Sequence, residues 1–283
     1  MKKILFSIAT AALVSIFLFV GCKKDEDTNN PPTNENYRLK QVENYEGDDI
    51  QFIYNQEFLE EIRGESGSTV ISNPNPNLAI ATNENSKTEY KSTDGKLEEL
   101  IFYQKTGKDD YEEVYKYTFN YNSDGLESLN YYSNESGVLE LKEKELNSYE
   151  SGKIVETIET EFVGGWKNKR KYEYEYSGDF VERKLLYNYS EDNWVLTDRY
   201  IFENNGQSII SEKRYHNFSG NWELNSEKEY NYDSNGNISS ISGSNQQGTA
   251  IYTYEVGEGN LEFFIEFFGS GFNNHPMSLS PWY

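Results

Sequence analysis

Tyr115-Lys-Tyr-Thr-Phe-Asn-Tyr121, followed at once by Asn122-Ser-Asp-Gly125, decides the fold class. Tyr115, Tyr117, Phe119 and Tyr121 alternate with Lys116, Thr118 and Asn120. A period of two puts the rings on one face of an extended chain and the polar groups on the other. Tyr, Phe and Thr suit a pleated, half-buried surface. Asp-Gly supplies the positive φ that a tight hairpin turn requires. The stretch therefore reads as a β-strand running into a hairpin.

The same unit recurs in both directions along the chain. Tyr172-Glu-Tyr-Glu-Tyr-Ser-Gly178, Tyr230-Asn-Tyr-Asp-Ser-Asn-Gly236 and Tyr252-Thr-Tyr-Glu-Val-Gly257 repeat it. The turn glycines Gly95, Gly125, Gly152, Gly178, Gly206 and Gly236 are spaced by 30, 27, 26, 28 and 30 residues. A second turn falls inside each unit, at Gly107, Gly137, Gly164-Gly165, Asp192-Asn193, Gly220-Asn221 and Gln247-Gly248. Each unit is then two strands and two turns, and turns this short make successive strands antiparallel neighbours. The expectation is an all-β, single long antiparallel up-and-down meander of roughly 14 to 16 strands over residues 37–283, a count at which open sheets curl. With no amphipathic helix to cover the aromatic face, the sheet covers itself, either as a barrel or as a superhelical sheet. Two stretches depart from the repeat. Gly64 to Ser86, with Asn73-Pro-Asn-Pro76, reads as a long loop or insertion, and Leu261 to Phe272 as a terminal strand or cap. Lys, Glu, Asn and Thr opposite the aromatics disfavour a membrane-spanning barrel, whose outer face must be apolar.

Upstream of the repeats, Lys2 and Lys3 precede an apolar run from Ile4 to Val20 that ends on Gly21-Cys22. That layout is an export signal over residues 1–21. The run is also long enough for an uncleaved anchor. Cys22 is the only cysteine, and the chain turns polar immediately after it. Phe19-Val20-Gly21-Cys22 resembles the bacterial lipobox, which implies acylation of Cys22 and membrane attachment through the lipid. Residues 22–36 carry no long apolar side chain and include two prolines, the composition of a disordered tether. Lys24-Asp25-Glu26 resembles the signal that sends some lipoproteins to the outer face of the outer membrane.

Tyr230-Asn-Tyr-Asp-Ser-Asn-Gly-Asn-Ile238 and Phe119-Asn-Tyr-Asn-Ser-Asp-Gly-Leu126 resemble the YD (RHS-type) repeat. The body as a whole, with its lipobox, resembles uncharacterised Gram-negative lipoproteins of porin-like β-fold. Most units lack the Tyr-Asp pair itself. The resemblance implies architecture and carries over no catalytic residue; the expected outer-membrane, surface-exposed address rests on the lipobox and Lys24-Asp25-Glu26.

Composition narrows the function. Without Lys2 and Lys3, 24 basic side chains face 48 acidic ones, a net charge of −24. Such a surface repels phosphate backbones, so nucleic acid is not an expected partner. With Cys22 spent on lipid the body has no thiol for disulfides or thiolate metal sites. His216 and His275 lie in different units, His216 beside Arg214 and Phe218 in an alternating strand. They do not make a triad or a metal site, and no catalytic residue, metal or cofactor is expected. Asp233-Ser-Asn-Gly236 and Asn122-Ser-Asp-Gly125 look like fragments of calcium loops but read as turns. A carboxylate pair of the glycosidase kind is a remaining alternative that the abundance of Asp and Glu leaves without nominees.

The most specific pattern is a tryptophan ladder. Trp166, Trp194 and Trp222 are separated by 28 and 28 residues, each just after the second turn of its unit, with Leu139 and Tyr111 in the same register further back. Two strands per unit put successive rungs about 10 Å apart. An exposed row suits stacking on the sugar rings of an extended polysaccharide. A covered row would instead plug the rim of the core, as Leu139 suggests. The expected function is thus a surface-anchored, non-enzymatic binding or structural module with a polysaccharide or protein partner. A glycan-binding accessory protein using the ladder is the alternative.

Overall fold

Short alternating segments punctuated by Asn, Asp, Ser and Gly give eighteen strands and no helix among the residues described. The computed structural model describes residues 37–256 except 46–47, 56–57, 66, 76, 94–95, 135–136 and 244–248. The export signal, Cys22, the tether, Leu261–Phe272, His275 and the turns at Gly95 and Gln247-Gly248 lie outside the described residues. In chain order the strands are β1 (Tyr37–Tyr45), β2 (Asp48–Asn55), β3 (Phe58–Gly64), β4 (Gly67–Asn75), β5 (Leu78–Thr82), β6 (Ser86–Thr93), β7 (Lys96–Lys105), β8 (Tyr111–Tyr121) and β9 (Leu126–Asn134). They continue with β10 (Leu139–Glu150), β11 (Lys153–Phe162), β12 (Trp166–Ser177), β13 (Phe180–Ser190), β14 (Asn193–Asn204), β15 (Ile209–Phe218), β16 (Asn221–Tyr232), β17 (Ile238–Gly243) and β18 (Ala250–Val256).

Hydrogen-bonded order follows chain order, and β1 pairs antiparallel with both β2 and β18. The fold is an all-β up-and-down meander whose ends meet, a barrel by strand connectivity, so the superhelical alternative is set aside. The strand count exceeds the expected 14 to 16 because the stretch read as a loop, Gly64 to Ser86, contains β4 and β5. Pro74 sits where the β4–β5 register shifts between Ser72 and Asn75. A proline, which has no N–H to donate, is tolerated at such an irregularity. The Asn75 side chain accepts from the Asn77 N–H at 2.9 Å and so sets the turn.

The chain divides into two compact units. One holds β1–β3, β17 and β18, and its buried side chains are mainly aliphatic: Leu39, Val42, Leu59, Ile62, Ile238 and Ile241. The other holds β5–β15 and most of β4 and β16. Its turns use the expected chemistry. Gly125 has φ 149°, and a Cβ there would meet the Tyr149 hydroxyl at 2.7 Å. That hydroxyl donates to the Leu126 carbonyl at 3.0 Å, so the glycine makes room for a tyrosine that pins the hairpin. Glu191 and Asp192 reach φ of 50° and 62° without glycine.

Cross-strand register identifies the buried face of this second unit. Phe119, Leu129, Glu145, Glu159 and Arg170 face one another in one row across β8–β12. Tyr172, Leu186, Asp198 and His216 make the corresponding row across β12–β15. Across β6–β9 this face is aromatic, as expected, with Tyr90 and Phe119 buried. From β10 onward the expected apolar filling gives way to a mixed one, and Glu145, Glu159, Lys184 and Asp198 are buried among tyrosines.

Candidate functional site

One β-bulge per hairpin places the tryptophans. In the pairings β7–β8, β9–β10, β11–β12, β13–β14 and β15–β16 the register shifts so that Val114, Lys142, Lys169, Thr197 and Asn225 are the extra residues. An extra residue reverses which face the following side chains take. Trp194 pairs with Tyr189 while Asp198 pairs with Leu186, so Trp194 and Asp198 stand on opposite faces despite their even spacing. Trp166, paired with Phe162, and Trp222, paired with Asn217, likewise stand on the face opposite the buried one. So does Tyr111. We call this the open face.

On it the three indoles do not seal the buried row. Trp166 is 42% exposed and Trp194 and Trp222 are half-buried. Trp166 and Trp194 meet the rings of their cross-strand partners Phe162 and Tyr189 at 5.6 and 4.9 Å, and all three indoles are covered by a cation from two strands earlier. Lys144 lies 4.4 Å from the Trp166 ring centre, Lys171 5.7 Å from that of Trp194, and the Arg199 guanidinium 4.7 Å from that of Trp222. The same cations meet the intervening strand: Lys171 is 4.5 Å from the Tyr187 ring and Arg199 4.8 Å from Tyr215. Further back, Lys87 lies 4.0 Å from Tyr103 and 5.5 Å from Tyr111, and Lys116 lies 5.2 Å from Tyr132. Cation–aromatic contacts at such partly exposed sites contribute about 0.5 to 1 kcal/mol each.

The rungs are therefore cation–aromatic, and the cations keep the ladder's own period: Lys87, Lys116, Lys144, Lys171 and Arg199 are spaced by 29, 28, 27 and 28 residues. That spacing was available as a sequence signal and was missed. Lys171 is shared with Glu173, whose carboxylate it meets at 2.5 Å and which also accepts from the Tyr187 hydroxyl at 2.8 Å. Those two donors hold the Glu173 carboxyl below the usual range against the opposing effect of burial, the largest single influence on it. Exposed apolar side chains gather at the same ends of the strands: Val138, Phe162, Val163, Val195 and Leu224.

A second feature lies at the same end, on the side of the buried row. Asp198, 3% exposed, accepts from the Nε of Arg214 at 2.8 Å and faces the Nδ1 of His216 at 3.2 Å. Arg214 and His216 line a groove of about 470 Å³ with Phe218, Glu223, Leu224 and Asn225. Sequence reading placed His216 beside Arg214 and Phe218 but missed Asp198, a whole strand away. The calcium-loop fragments act as turns: Asn122 Oδ1 accepts from the N–H of Asp124 at 2.8 Å, and Asp233 Oδ1 from that of Asn235 at 2.8 Å. Among the described residues no group of three or more His, Cys, Asp or Glu is arranged to hold a metal.

No family model and no curated protein matches the chain, so the YD-repeat resemblance rests on its turn motifs alone. Among solved structures the chain is similar to a protein of unknown function from Bacteroides fragilis, at 13% identity over 40% of this chain and 89% of that one, with a TM-score of 0.36. It is also similar to a porin-like protein from Bacteroides vulgatus, at 12% identity over 77% of this chain and 98% of that one, with a TM-score of 0.35.

Proposed function

We propose that the protein is a lipid-anchored, non-enzymatic binding module of the outer-membrane surface whose open-face rungs contact an extended polysaccharide. One observation carries this reading: ring-bearing rungs recur every two strands, with Trp166 exposed and Trp194 and Trp222 half-open. Two strands are about 9.5 Å, the scale of a disaccharide, so each rung meets an equivalent part of a regular chain. Aromatic faces stack on the apolar C–H side of a pyranose. The neighbouring Lys and Arg fix the ring planes and donate to hydroxyls. Anchoring through Cys22 and a polar tether over residues 22–36 supports this address, and the acidic surface favours a neutral glycan over an anionic one.

The test is co-sedimentation of the full chain with insoluble neutral polysaccharides, beside titration with short oligomers of the same sugars. The expected result is binding of the long chains that weakens with each of Trp166→Ala, Trp194→Ala and Trp222→Ala. Short oligomers should be affected less, because stacking sites in a row act through avidity. Failure of the wild-type chain to bind any long polysaccharide would end this reading.

A further inference from the structure

We propose that the groove between β15 and β16 is a separate binding site for a single neutral sugar residue, such as a chain end. It lies beside Asp198, and its lining takes Leu224 from the open face but not the Trp222 indole. Its lining has the composition such a ligand needs. The Phe218 ring is 55% exposed and is met edge-on by His216 at 4.5 Å between centres, which fixes it while leaving much of its surface open. Leu224, 53% exposed, adds a second apolar surface. Arg214 offers donors, Glu223 offers acceptors, and Asn225 offers both, which is what vicinal hydroxyl groups require.

The polar end is built. Asp198 holds Arg214 through Nε alone, and no other hydrogen bond is made by that guanidinium among the described residues. Its terminal nitrogens therefore remain to donate. The same carboxylate orients His216, so one buried group positions two side chains of the lining. Asn225 is the extra residue of the β15–β16 bulge, a position that re-aims a side chain out of the regular ladder. Charge argues against an anionic ligand. Arg214 is already balanced by Asp198, and Glu223, directly across from His216, adds a negative charge. A neutral polyhydroxylated molecule uses both signs and meets no repulsion.

The experiment is saturation-transfer NMR and calorimetric titration of the full chain with methyl glucoside, methyl galactoside and methyl mannoside, with glucuronate as the anionic counterpart. Saturable binding of at least one neutral glycoside is expected, with glucuronate weaker. Phe218→Ala and Glu223→Gln should each weaken that binding at least about tenfold. Both residues are exposed, so an unchanged melting midpoint certifies the fold. Loss of glycoside binding in these two variants, which keep all three rung tryptophans, separates this site from the rungs. The proposal is overturned by absence of saturable binding of all three glycosides, by tighter binding of glucuronate, or by wild-type affinity in both groove variants.

Discussion

Two stretches of the same sheet face are filled in opposite ways. Across β6–β9 the face is packed with rings. Phe102 and Tyr115 stack at 4.6 Å with planes 4° apart, Tyr117 meets Tyr115 edge-on at 5.8 Å, and Tyr131 lies 5.0 Å from Tyr117. Across β10–β15 equivalent positions carry charges: Glu159 is paired with Arg170 at 2.7 Å, Asp198 with Arg214 at 2.8 Å, and Lys184 lies 4.7 Å and 5.1 Å from the rings of Tyr172 and Tyr200. The backbone and register are alike, so the strands do not impose an apolar filling. The difference is energetic. Rings stabilise through area removed from water. Buried ion pairs roughly break even against their desolvation, and become costly only when one partner is lost.

The largest effects should separate these two kinds of filling. Phe119→Ala should cost about 3 to 5 kcal/mol in a denaturant melt, and no second substitution nearby should repair the lost volume. Asp198→Ala should cost less, about 1 to 3 kcal/mol, because it leaves Arg214 and His216 without their partner while Arg214 keeps access to water. The double variant Asp198→Leu, Arg214→Met should recover most of that loss. If the double variant is as unstable as the single one, the charged stretch is not the break-even filling described here.

Lys184 sharpens the comparison through pH. Burial pushes its ammonium down to about 8, an effect partly offset by Glu212, Glu145 and Glu159. Below that pH the native state must carry a charged, poorly solvated amine. Between about pH 8 and the ordinary lysine value near 10.4 the unfolded chain binds the proton that the native chain has released, so stability rises with pH. Above about pH 10 the trend reverses, because burial raises Tyr90, Tyr115 and Tyr117 and the unfolded chain then loses protons that the native state keeps. Lys184→Met should show no rise in stability between pH 8 and 10. A wild-type chain whose stability is flat over that window would contradict the assignment.

Much of this architecture is legible in the chain. The alternation in Tyr115–Tyr121 and the turn spacing give the strands, their antiparallel order and the aromatic face of β8. Three things are not legible, each for a physical reason. Pro74 disguises β4 and the strand paired with it, because a proline at a register shift looks the same in sequence as one in a loop. The charges on the buried face are hidden because Asp198 and Arg214, or Glu159 and Arg170, meet only once their strands pair. The side of the Trp ladder is hidden by the bulges. Counting from Asp198 back to Trp194 puts both on one face, and Thr197, the extra residue, puts them on two. That one-residue slip is why spacing alone could not say whether the indoles plug the core or stand on the open face.

The smallest expected effect is therefore the most direct test. Trp166→Ala, Trp194→Ala and Trp222→Ala, each measured by denaturant melt, report on which side of the sheet the indoles act. Indoles on the open face, held by a cation and, for Trp166 and Trp194, by one neighbouring ring (Phe162 or Tyr189), should cost no more than about 1 to 2 kcal/mol each. Trp166, the most exposed, should cost the least. A loss of about 3 to 5 kcal/mol in each variant, the cost of a large aromatic in a core, would contradict the placement of the ladder and with it the binding surface.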